Sequence, residues 1–138
     1  MNWWSRLNVY WIISLLYMGL IFLLSSFPST MEFPSFSFAD KLAHLLEYGL
    51  LASLIYLALG KSQANIHPVF VPFLIAFLYG LSDELHQYFI PGRDADVFDA
   101  VADAVGSFIF PLGIHATQYG RWIRFLNKER RARNDFPP

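Results

Sequence analysis

Four long apolar runs, separated by polar or proline-containing stretches, organise the chain. The first, residues 7–27, carries no charge and stops at Pro28. The second, 41–60, is apolar except for Lys41, His44 and Glu47 near its start. The third, 68–90, is apolar until Asp83, then polar, and is broken by Pro91-Gly92. The fourth, 97–118, places Asp99 and Asp103 in its first turns and Pro111, a kink signal, in its interior. A bilayer core takes roughly 20 helical residues to cross. The pattern therefore predicts one all-α domain over 1–138, a four-transmembrane-helix bundle. A loop over 29–40, a polar turn over 61–67 and a loose basic tail over 119–138 complete it.

Composition narrows the class. The 138 residues are 55% hydrophobic and 15% charged, against about 25% charged in soluble domains. Disorder needs the opposite balance. A net charge of -1 offers no basic field and excludes nucleic acid as a partner. The absence of cysteine removes disulfides, thiolate metal ligands and thiol catalysis. The first run is too long for a cleaved signal peptide, and no small-x-small site follows it.

With four spans, the N-terminus, the 61–67 turn and the tail share a side. That side holds Arg6, Lys61, Arg121, Arg124, Lys128, Arg130, Arg131 and Arg133, leaving only Lys41 and Arg93 opposite. Positive charge stays inside, so both termini are predicted to be cytoplasmic, in a multi-pass protein of the cytoplasmic (inner) membrane. Trp3, Trp4, Trp11 and Trp122 fall at the same interface. The acids are reversed: only Glu129 and Asp135 lie inside, while Glu32, Asp40, Glu47, Asp83, Glu84, Asp94, Asp96, Asp99 and Asp103 lie on the outer half.

Those outer acids fall into register. Asp40, His44 and Tyr48 share one face of the second helix, Glu84 and Gln87 one face of the third, and Asp96, Asp99, Asp103 and Gly106 one face of the fourth. His44, Glu84 and Asp103 each sit roughly 6–9 Å below the outer boundary. Carboxylates at that depth face one another or a wet cavity. The expectation is an outward-opening polar pocket at the outer end of helices 2–4.

Three blocks at this end, Asp40-Lys41-x-x-His44, Glu84-x-x-Gln87-x-Phe89-Ile90-Pro91-Gly92-Arg93 and Asp99-x-x-Ala102-Asp103-x-x-Gly106, resemble the VanZ-like family of small membrane proteins in order and spacing. The resemblance covers roughly residues 10–117. It implies the membrane fold and a cell-envelope setting, and the family's name comes from a protein associated with teicoplanin resistance. It implies no reaction. The family pattern often has Asn where this chain has Asp103.

The chemistry of these side chains supports several readings. Arg93 and Lys41 suit an anionic headgroup, with Gln87 and His44 orienting it; their structural counterparts are a counter-ion role and snorkelling. Lys41, His44, Glu84, Gln87, Arg93, Asp99 and Asp103 are thus the candidate ligand-binding residues, and a membrane lipid or lipid-linked envelope intermediate is the expected partner. Alternatively, a membrane-embedded hydrolase or headgroup transferase would draw its catalytic groups from His44, Glu84, Asp99 and Asp103. Glu84 or His44 would be the base, and a divalent ion (Mg, Mn, Ca or Zn) a possible cofactor. Asp83 reads as an outer partner or a surface acid. Asp96 and Asp99 also fit helix-capping roles, although Asp103 lies too far in for that. His67, His86 and His115 read as structural, and Ala100, Ala102, Ala104 and Gly106 as packing positions. A proton relay fits poorly, because the inner halves carry almost no ionisable groups. A wholly structural network is the remaining reading.

Overall fold

The computed structural model describes residues 3–28, 38–60, 68–93 and 95–135. Within them are four helices, α1 (Trp3–Ser25), α2 (Phe38–Leu59), α3 (Phe70–Gln87) and α4 (Val97–Asp135), and no strand. The expected loop with Glu32 and Pro34, the turn with Lys61 and His67, and Asp94 lie outside the described residues. So do the side chains of Trp3, Trp4, Arg6, Arg133 and Asp135.

One expectation is corrected. The described part of the tail is helical, not loose: α4 runs unbroken through Pro111 and past residue 118 to Asp135. The stretch is rich in Arg, Leu, Lys, Glu and Ala, which favour helix, and only Gly120 opposes it. At the other boundaries α3 is shorter than predicted, ending at Gln87, so Glu84 lies within its last turn.

The helices bury polar residues and expose apolar ones. Ser14, Ser25, His44, Ser53, Asp83, Glu84, Gln87, Asp99, Asp103 and Ser107 are buried, whereas Ile12, Leu15, Leu16, Leu23, Leu78, Leu85 and Ile109 lie open. On α1 the inward stripe is Ser14, Ile21 and Ser25, at helical spacing. Water would not tolerate such an apolar outer surface; lipid does. By length and apolarity α2 and the Val97–Arg131 part of α4 can cross a bilayer.

An apolar core of Ile21, Tyr48, Leu51, Ala52, Ile55 and Ala76 joins α1, α2 and α3. The tightest approach is between α2 and α4, where Gly106 lies against the Leu45 backbone and leaves no room for a Cβ. Small residues at such crossings let lipid-embedded helices meet closely.

Candidate polar site

After α3 the chain reverses at Ile90-Pro91-Gly92-Arg93. The Arg93 N–H donates to the Ile90 carbonyl at 3.1 Å, and Gly92 takes φ 76°. This is a type II turn, with proline at its second position and glycine supplying the positive φ of its third. The turn sends Arg93 back over the end of α1. Asp96 then opens α4: its Oδ1 accepts the Phe98 N–H at 2.9 Å, a helix N-cap.

The charged side chains form two connected groups. The first joins α2, α3 and α4. Lys41 Nζ lies 2.6 Å from both Asp96 Oδ2 and Asp99 Oδ1, and 3.3 Å from Asp40 Oδ2. One turn deeper, His44 Nδ1 is 3.0 Å from Asp103 Oδ1 and 3.8 Å from Glu84 Oε1. Glu84 Oε2 accepts the Asp96 backbone N–H at 3.1 Å, tying the end of α3 to the start of α4. The ligand atoms of His44, Glu84 and Asp103 lie within 4.8 Å of one another, as do those of Asp40, His44 and Asp99.

The second group faces α1. Ser25 Oγ donates to Asp83 Oδ1 at 2.6 Å, and Gln87 Nε2 donates to Asp83 Oδ2 at 2.9 Å. Arg93 Nη1 donates to Gln87 Oε1 at 3.4 Å, Nε to the Phe27 carbonyl at 3.1 Å and Nη2 to the Leu24 carbonyl at 3.2 Å. A guanidinium on the last carbonyls of a helix satisfies groups that have no partner within it and opposes the negative end of its dipole.

Lys41, His44, Glu84, Asp99 and Asp103 are therefore brought together. Gln87 and Arg93 belong to the α1 side, and Asp83 is a buried link to α1 rather than a surface acid. Asp40 stays exposed at the rim. His86 also serves α1: its Nε2 is 3.0 Å from Ser26 Oγ and its ring stacks on Phe22. His115 pairs with the Tyr56 hydroxyl at 3.1 Å, in the other half of α2 and α4. Sequence reasoning missed Ser25 and Ser26; the only signal was the Ser14–Ser25 interval of three helical turns on one face.

Electrostatics at the rim follow the geometry. The Lys41 ammonium, and then the Phe98 N–H, hold the Asp96 carboxyl below its ordinary value of 3.8. Asp103 fits because Gly80 faces it: a Cβ there would meet Asp103 Oδ2 at 2.8 Å.

A sequence profile described as VanZ/LLP1 matches residues 8–116. No curated protein and no solved structure matches the chain.

Proposed function

The chain belongs to the VanZ/LLP1 family, and from that premise we propose that it is a multi-pass protein of the cytoplasmic membrane that binds an anionic envelope ligand. In this reading all four helices span, both termini are cytoplasmic, and the charged ends of α2, α3 and α4 meet the outer leaflet. The ligand is a lipid headgroup or a lipid-linked cell-wall intermediate. The observation that carries the reading is the gathering of Lys41, His44, Glu84, Asp99 and Asp103 from three helices whose outer surface is apolar. Ionisable groups inside a membrane domain are costly and mark functional sites. Arg93 supplies the grip at the rim, since Nη1 and Nη2 each keep a second N–H beyond those bonded to the described residues. Glycopeptide susceptibility is the cellular property to follow, given the teicoplanin association behind the family name.

Native mass spectrometry of gently released protein tests this. Wild type is expected to carry an anionic lipid that Arg93→Ala loses. Equal retention by a folded Arg93→Ala protein excludes Arg93 as the grip.

The second reading, a hydrolase or headgroup transferase, is favoured by one contact: His44 Nδ1 between two carboxylates, the setting of a general base. Turnover of an envelope lipid that survives Glu84→Gln removes Glu84 from that role.

A further inference from the structure

The structure points to a divalent-cation site built from His44 Nδ1, Glu84 Oε1 and Asp103 Oδ1, one ligand from each of α2, α3 and α4, and we propose that this triad binds Mn²⁺ or Zn²⁺. Two overlapping donor sets share His44. In the set of Asp40, His44 and Asp99, the positive charge is already present: Lys41 Nζ sits 2.6 Å from Asp99 Oδ1 and 3.3 Å from Asp40 Oδ2. The deeper set has no such cation among the described residues. The Glu84 side chain is 8% exposed and that of Asp103 1%, so both carboxylates are withdrawn from water.

Hydrogen bonding leaves this deeper set incomplete. A proton on His44 Nδ1 serves Asp103 Oδ1 at 3.0 Å, but Glu84 Oε1 lies at 3.8 Å, beyond a hydrogen bond. Glu84 Oε1 has no hydrogen-bond partner among the described residues, although it is buried and directed at His44. Buried charges are paired or coordinate metals. One divalent ion between the three atoms meets all of them at once, whereas one proton cannot. Imidazole with two carboxylates suits Mn²⁺ or Zn²⁺, which accept mixed nitrogen and oxygen donors. The triad shares His44, Glu84 and Asp103 with the anion reading above, but metal is measured without any lipid, so each reading can fail alone.

The test uses the full chain in detergent, stripped with EDTA, equilibrated with Mn²⁺ or Zn²⁺ alone, desalted and assayed by elemental mass spectrometry. Wild type is expected to retain about one equivalent of one of these ions. Glu84→Gln and His44→Gln should weaken retention by more than about tenfold, while Asp40→Asn, in the Lys41-neutralised set, should leave it unchanged. Retention of neither ion by wild type overturns the proposal, as does equal retention by folded Glu84→Gln. Should the variants fail to fold, the thermal midpoint of wild type decides. A rise with added Mn²⁺ or Zn²⁺ that EDTA reverses supports the site, and an unchanged midpoint overturns it.

Discussion

Arg93 Nη2 donates to the backbone carbonyl of Leu24 at 3.2 Å, so a residue from the α3–α4 turn closes the C-terminus of α1. The same side chain holds the Phe27 carbonyl and Gln87. Arg93→Ala is therefore expected to lower stability by about 1–3 kcal/mol, through lost charged hydrogen bonds and lost charge at a helix end. Arg93→Lys should recover part of the charge effect but not the three-way contact. Thermal unfolding in detergent measures both.

Gly106 presents its α-carbon to the Leu45 backbone with no space between. Gly106→Ala is expected to force α2 and α4 apart and cost about 1–3 kcal/mol. Gly113→Ala, where a Cβ meets nothing within 4 Å, should be tolerated. Melting the two variants side by side separates crowding from a general effect of glycine loss.

Ser25→Ala removes the donor at 2.6 Å from Asp83 Oδ1, while Gln87 keeps Oδ2. Leaving a buried acceptor unmet costs about 1–3 kcal/mol. Ser26→Ala, at the half-buried neighbouring position, should cost less. Equal losses would mean that the Asp83 bond contributes nothing specific.

The Lys41–Asp96 pair sets a pH dependence. Its carboxyl titrates below the ordinary 3.8, first because of the Lys41 ammonium. The folded state thus holds its proton less tightly than the unfolded chain does. The pair's stabilisation is complete above the unfolded value and is lost as pH falls below 3.8 through the lower folded value. Asp96→Asn should flatten this part of the stability–pH curve and leave stability at neutral pH lower than wild type's. A curve unchanged by the substitution would show that the pair is not formed.

The proposed orientation is checked by labelling, which the absence of cysteine makes simple. A membrane-impermeant maleimide added to intact spheroplasts should modify Tyr88→Cys, at the exposed end of α3, and spare Lys128→Cys until the cells are lysed. Both positions are exposed. The reverse pattern would put the termini outside.

Much of this site was legible in the chain because helical spacing is local. Asp99, Asp103 and Gly106 recur at intervals that put them on one face, and all three are buried. His44 and Tyr48 behave the same way on α2. Partners across helices are another matter. Asp83 and Glu84 are adjacent, and nothing local says that one turns to Ser25 on α1 and the other to His44 on α2. Arg93 reads in the sequence as an anion grip or a counter-ion to the acids, because the carbonyls it holds at and just past the end of the first helix carry no side-chain signature. The helical tail was missed for a different reason. Charge density reads as solvation, but Arg, Lys and Glu solvate a helix as readily as a coil.

The continuity of α4 has a mechanical consequence. Thirty-nine residues make a rod of about 58 Å, roughly twice the thickness of the hydrocarbon core. Tyr56 still holds α4 at His115 and Gln118. From Gln118 to Asp135 the helix runs on for about 25 Å, so the cations from Arg121 to Arg131 ride on one helical arm at fixed spacing rather than on a coil.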